Sequence, residues 1–214
     1  MIFALLPVKD PRNAKQRLNG FLPASGRESL ARILYEQTIT ALCQAKGIDC
    51  IAVVTSDAAV AAHARRLGTL VFEESEQTSH SLSADAACRR AMAMGATTAL
   101  LVPIDVPLVT PVDFEQLAAS ALMKKRGVVI VPSADGAGTN ALARTPPDVI
   151  QSRFGPGSFR AHVDQAGANG VPIDVLRLPG LMFDIDTPED VAELLERAPQ
   201  CRVAGFLRTA CALK

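Results

Sequence analysis

Ala99-Leu100-Leu101-Val102-Pro103-Ile104-Asp105-Val106-Pro107-Leu108 is an apolar run interrupted by one carboxylate, that of Asp105. Apolar residues without alternation suit a central strand covered by helices on both faces, and in open α/β sheets ligands gather where such strands end. Asp105 is therefore expected at a strand exit, facing a ligand. An Asp just ahead of a Pro also caps turns for structural reasons alone, so its reading depends on what else reaches the same edge.

Upstream, Ile2 to Val8 reads as a first central strand, Cys50 to Thr55 as a second and Leu70 to Phe72 as a short third. Between them, Ser25-Gly26-Arg27-Glu28 has capping-box spacing ahead of a helical apolar pattern, and Ser56-Asp57 can cap a helix through about Leu67. A polar segment from Glu73 to Ser83 precedes an alanine-rich helix ending near Gly95. Downstream, Thr110-Pro111 opens a helix to about Lys124 and Val128 to Pro132 is the next strand. Alternating β and α units with right-handed crossovers give a three-layer α/β/α, Rossmann-like fold with a mainly parallel sheet. Lys9, Thr55 to Asp57, Asp105 and Ser133 to Gly138 should share its carboxyl edge.

The loop after the first strand carries Lys9, Arg12, Lys15 and Arg17, four basic side chains within nine positions. Placed at a sheet edge, such a loop can neutralise a nucleotide triphosphate. It has neither the G-x-G-x-x-G nor the P-loop pattern, which argues against a dinucleotide oxidoreductase and a P-loop kinase. Asp135 to Leu142 sets small residues beside Thr139 and Asn140, whose hydroxyl and amide can both donate hydrogen bonds. Arg153 to Phe159 is a second glycine-rich turn, with Gly155 and Ser158, opening a helix whose first amides could bind an anion. Asp184 and Asp186, if on a strand, point to one face. Their mutual repulsion calls for a cation, and with Asp105 nearby an oxygen-ligated hard ion such as magnesium is the natural one. The plain alternative makes Asp186 a helix cap and Asp184 a surface residue.

Composition narrows the classes. The 214 residues are 49% hydrophobic, enough for a sizeable core, and no linker or repeat divides them, so one domain over 1–214 is expected. Lys plus Arg equal Asp plus Glu at 22 each, so no overall field draws the chain to nucleic acid or an anionic membrane. The five cysteines include no C-x-x-C pair and fit a reducing cytoplasm. The chain opens on an apolar strand without an export leader, and no stretch reaches about 18 apolar residues. Oligomeric state is left open, a homodimer included, and the tail 199–214 carries no signal.

PVKDPRNAKQRL (7–18), VPIDVPLVTP (102–111), DGAGTNAL (135–142), RFGPGSF (153–159) and FDIDTPEDV (183–191) together resemble the CofC/FbiD guanylyltransferases of deazaflavin coenzyme (coenzyme F-420) biosynthesis, over about positions 2 to 195. The resemblance implies a GT-A-like nucleotidyltransferase fold. It also implies transfer of GMP from GTP to a phosphorylated three-carbon acid, with magnesium and release of pyrophosphate. By motif, Lys9, Lys15 and Arg17 match the nucleotide-phosphate loop, Asp105 the principal metal carboxylate, and Asp184 with Asp186 the second acidic pair. Thr139, Gly155 and Ser158 match the residues that hold the phospho-acid. Where many members have Gly-Leu-Asn at the base-binding segment this chain has Ser81-Leu82-Ser83, and Ala137 stands where threonine is often found. The acid, whether 2-phospholactate, phosphoenolpyruvate or 3-phosphoglycerate, is left open.

The expected site is thus catalytic Asp105, Lys15 and Lys9; nucleotide contacts from Lys9, Lys15, Arg17, Ser56, Asp57, Ser81 and Ser83; and acid contacts from Thr139, Asn140, Gly155 and Ser158. A phosphate monoester has a second pKa of about 6 and is largely dianionic near neutral pH, so the acceptor needs no general base. None of the three histidines, His63, His80 and His162, is given a catalytic role; His162 is expected to pack on its helix. A sugar-phosphate nucleotidyltransferase and a non-catalytic nucleotide-binding module are the competing readings.

Overall fold

The computed structural model describes residues 1–74 and 79–212. The first half runs β1 (Ile2–Pro7), α1 (Ala24–Gln44), β2 (Cys50–Thr55), α2 (Ala58–Arg66), β3 (Leu70–Glu73), α3 (His80–Ala93) and β4 (Thr98–Leu101). The second runs α4 (Pro111–Leu122), β5 (Gly127–Pro132), β6 (Thr139–Thr145), α5 (Ser158–Ala168), β7 (Ile173–Val175), α6 (Pro179–Met182), α7 (Pro188–Arg197) and α8 (Arg202–Ala212). The strands form one sheet in the order β3-β2-β1-β4-β6-β5-β7. Only β6 runs against its neighbours. The fold is the expected mixed, mainly parallel α/β type.

The central strands are buried on both faces because their side chains alternate between two cores. Ile2, Ala4 and Leu6 meet Tyr35, Ile39 and Leu42 of α1 and Phe114 and Leu117 of α4. Phe3 and Leu5 meet Ala84, Ala87, Cys88 and Ala91 of α3. The small alanines of α3 let that helix lie close to the sheet. A third core fills the space outside α1, where Leu30 and Leu34 pack with Val191 and Leu194 of α7 and Val203 and Leu207 of α8. The tail therefore carries a packed helix, marked by the i, i+4 pair Val203 and Leu207.

Several local expectations are corrected. The strand ahead of Asp105 stops at Leu101: the Val102 amide still reaches Leu5 O at 3.1 Å, but Pro103 has no N–H to continue the ladder. The Ser25 capping box does not form. Helix α1 starts at Ala24, and the buried Arg27 guanidinium fixes the incoming chain by donating to Leu22 O (2.9 Å) and Asn19 Oδ1 (3.2 Å). Residues 183–186 join no strand of the sheet, so Asp184 and Asp186 lie on no strand. They still share a face, because Phe183 and Ile185 between and before them are buried in the third core. Thr139 to Leu142, read as a loop, begins the reversed strand β6; its small residues and the buried Arg144 hid it.

Candidate active site

A cleft of about 1210 Å³ opens over the carboxyl ends of β1 and β4 and the β5–β6 turn. It is lined by Lys9, Lys15, Arg17, Asp105, Thr139, Asn140, Gly155, Ser158, Asp184 and Asp186. Ten of the residues expected from sequence thus converge on one space.

The basic loop is two single 3-10 turns joined at Lys15, which alone among the described non-glycine residues has a positive φ, 54°. That left-handed backbone is uncommon for a residue with a Cβ. It carries the side chain inward, where Lys15 Nζ lies 3.0 Å from both Asp105 Oδ2 and Asp186 Oδ1. Arg17 Nη1 approaches Asp186 Oδ2 at 3.6 Å from the open side. Arg12, by contrast, is drawn off to Asp10 at 2.7 Å and does not line the cleft.

The carboxylates are held from behind. The Ile185 amide donates to Asp105 O at 3.0 Å, clamping the two acidic segments together. The Asp186 and Thr187 amides donate to Asp190 Oδ2, the capping box of α7. Oxygens of Asp105, Asp184 and Asp186 lie within 4.8 Å of one another and could hold a metal ion. Burial alone would raise the Asp105 pKa, but the charge and hydrogen bond of Lys15 outweigh it and hold it below the usual carboxylate value. Burial likewise disfavours the Lys15 ammonium, and the two carboxylates outweigh it, so its pKa stands above normal. Among the described residues no lysine forms an ion pair with Asp184. Burial, and then the charge of Asp105, push it up to about 6, against the opposing hydrogen bond from Asn140.

The wall expected to hold the acid is built from the β5–β6 turn and the start of α5. Ser133 to Gly138 closes on itself: the Gly138 amide donates to Ser133 Oγ and the Ala137 amide to Asp135 Oδ1. A Cβ at Gly138 would stand 2.8 Å from Ser133 Oγ and would have to displace the hydroxyl that closes the turn. Gly157, in left-handed conformation at φ 70°, is the N-cap of α5. Two of the helix's first amides are already used within the protein, Ser158 N on Gly155 O and Phe159 N on Ala137 O, both 3.1 Å. The anion-binding capacity expected of that helix start is correspondingly reduced. The second bond stitches the two glycine turns together.

Asn140 departs from its expected part as a donor to the acid. Its Nδ2 faces Leu181 O (2.9 Å), Met182 O (3.0 Å) and Asp184 Oδ1 (3.1 Å), so the amide anchors the acidic segment. Ser56, Asp57, Ser81 and Ser83 do not line this cleft. Asp57 accepts from Val60 N as the N-cap of α2. Ser81 Oγ accepts from Phe154 N at 2.9 Å, and Ser83 Oγ donates to Glu74. Helix α3 begins at His80, earlier than expected, which turns both serines into its first turns. Their hydroxyls were read as loop donors for that reason.

Of two histidines given no catalytic role from sequence, one lines the site and the other lies buried behind its wall. His80 lines the cleft edge-on to Phe154, ring centroids 4.7 Å apart. His162 is fully buried, with Nδ1 3.0 Å from Thr139 Oγ1 and Nε2 accepting from Arg153 N at 2.8 Å. A histidine on an α5 face gave no sequence signal for this, since its partners lie 23 and 9 residues away.

A sheet of this order, with acidic side chains, a basic loop and a glycine-lined wall around one cleft, defines a nucleotidyltransferase. The family described as "Guanylyl transferase CofC like" matches residues 2–211, and the chain belongs to it. It is 38% identical to a phosphoenolpyruvate guanylyltransferase of Sphaerobacter thermophilus, covering 92% of this chain and 93% of that one. It is 29% identical to a 2-phospho-L-lactate guanylyltransferase of Methanothermobacter thermautotrophicus, covering 96% and 89%. A solved nucleotidyl transferase from the same archaeon shares the fold at TM-score 0.68 and 18% identity, covering 98% of this chain and 99% of that one.

Proposed function

We propose that this chain transfers GMP from GTP to the phosphate of a three-carbon phospho-acid, releasing pyrophosphate. The observation that carries the reading is the meeting, in one cleft, of a carboxylate trio with Lys15 and a glycine-lined wall bearing Thr139 and Ser158. A phosphate oxygen of the acid attacks the α-phosphorus of GTP; the new P–O bond forms as the bond to the β-phosphate oxygen breaks. The acceptor is already anionic, so no proton has to be removed. The protein's part is alignment and charge neutralisation.

Lys9, Lys15 and Arg17 stand where the triphosphate would lie and neutralise the leaving pyrophosphate. Thr139, Gly155 and Ser158 hold the acid. Magnesium fits the acidic end: the donors are all carboxylate oxygens, and three carboxylates face one close ammonium. When bound by Asp105, Asp184 and Asp186, it supplies Lewis-acid neutralisation of phosphate charge. Asn140 keeps Asp184 in place for that purpose. Among the described residues no helix is long and apolar enough to cross a membrane.

The test is a pyrophosphate-release screen of GTP, CTP, UTP and ATP against phosphoenolpyruvate, 2-phospholactate and 3-phosphoglycerate. Phosphoenolpyruvate is the first choice, being named for the relative with 38% identity. Release with GTP and one of the acids is expected. GTP binding with no release from any acid would make the chain a nucleotide-binding module instead.

A further inference from the structure

The buried His162 ring has a partner on each nitrogen, and one of the two fixes the other. A backbone N–H can only donate, so the Arg153 amide, 2.8 Å from Nε2, requires a lone pair there. The ring proton then sits on Nδ1, with Thr139 Oγ1 3.0 Å away and the Ser158 backbone carbonyl as a second acceptor. An imidazolium would set two donors against each other at Arg153. Burial and the nearby Arg144 charge act in the same direction, holding the His162 pKa down at about 4.

A protonated Nδ1 has no lone pair, so the Thr139 hydroxyl cannot donate to the ring, and its proton has no other acceptor among the described residues. Thr139 lines the cleft at the start of β6. We infer that His162 is a positioning residue that fixes Thr139 as an obligatory hydrogen-bond donor toward the cleft. A hydroxyl locked in that sense favours an oxyanion and disfavours a ligand group that can only donate. Through Arg153 the same ring ties the RFGPGSF turn to the DGAGTNAL strand, so the orientation of the hydroxyl and the position of the second turn are set together. The inference rests on the proposed reaction only in taking the oxyanion to belong to the phospho-acid.

The tautomer is testable without substrate or turnover. In ¹⁵N-histidine NMR of the ligand-free protein, with the three histidines assigned by His63→Gln and His80→Gln, His162 should show a protonated Nδ1 and a bare Nε2 at neutral pH. An Nε2–H tautomer or an imidazolium overturns the inference even if the enzyme proves to be a guanylyltransferase. Kinetics then test the consequence. Thr139→Val should raise the phosphoenolpyruvate KM about tenfold or more, the scale of one hydrogen bond to a charged group, with the GTP KM unchanged and Thr139→Ser close to wild type. His162→Gln puts its carboxamide at the reach of Nε2, keeping an acceptor for Arg153 and leaving no polar atom at the place of Nδ1; it should raise the same KM and add little in the Thr139→Val background. Full multiplication of the two effects would mean that His162 acts independently of Thr139, and would overturn the positioning role. Absence of pyrophosphate release with any acid, alongside the Nδ1–H tautomer, would count against the reaction and leave the donor assignment standing.

Discussion

Lys15 Nζ and Asp105 Oδ2 stand 3.0 Å apart although 90 residues separate them in the chain. The pairing joins the loop after β1 to the loop after β4, and the two strands are neighbours in register, Leu5 beside Leu101. Parallel pairing of adjacent strands puts both loops at one edge, which is why distant motifs meet in one cleft. Replacing Asp105 with Asn leaves the shape nearly unchanged but removes the charge. Turnover should fall by at least about 10², the scale of losing one preorganised electrostatic contact. Steady-state pyrophosphate release by Asp105→Asn checks this, and unchanged turnover would reject the role given to that carboxylate.

Ser158 is buried at the start of α5, where it lines the cleft. Only the acid is expected there, so Ser158→Ala should raise its KM by roughly tenfold, the cost of one hydrogen bond to a charged group, while GTP affinity holds. Titrating each substrate at saturating concentrations of the other separates the two. Equal losses for both would mean that this wall does not divide the ligands.

How much of this was readable depends on the range of the signal. The apolar runs of β1, β2, β4 and β5 and the caps at Asp57 and Thr110 are local patterns, and each appears in the structure. Strand β6 was hidden because its register is imposed by β4 and β5 on a segment of small residues around Arg144. Asn140 and Ser83 were read as ligand donors because their hydroxyl and amide groups look free in sequence. Their actual partners, Asp184 and Glu74, are brought by tertiary packing. His162 is the same case, its two partners being visible only once α5 is docked.

Acid should weaken the fold through His162. Its pKa is about 4 in the folded chain against 6.5 for an ordinary histidine, so the unfolded chain binds the proton first as pH falls. The contribution is intact above pH 6.5 and is lost progressively between 6.5 and 4, by about 3 kcal/mol in all for a fully buried ring. Urea denaturation at intervals across that range should show a steeper decline for the wild type than for His162→Gln. Parallel declines would mean that the ring is protonated in the folded state.

Arg144 offers the sharpest stability test. Its side chain is 1% exposed, and Nη1 donates to Asp85 Oδ1 at 2.8 Å and to Ile150 O at 2.6 Å. Asp85 in turn accepts from the Ser152 amide and hydroxyl, so one ion pair joins β6, α3 and the segment leading to the RFGPGSF turn. Removing Arg144 leaves the partly buried Asp85 carboxylate with only the Ser152 donors, and removing Asp85 leaves the buried guanidinium without its counter-charge. Arg144→Leu should therefore cost about 3–5 kcal/mol, whereas the double change with Asp85→Leu should cost less than the two single changes combined. Because the ion pair also seats residues 150–152, the surviving folded fraction of Arg144→Leu should bind the acid more weakly while its GTP affinity is kept. Urea unfolding of the four proteins in the cycle decides the first point, and substrate titration of the single variant decides the second. Strict additivity would mean that Arg144 and Asp85 contribute separately and that no shared network supports the turn.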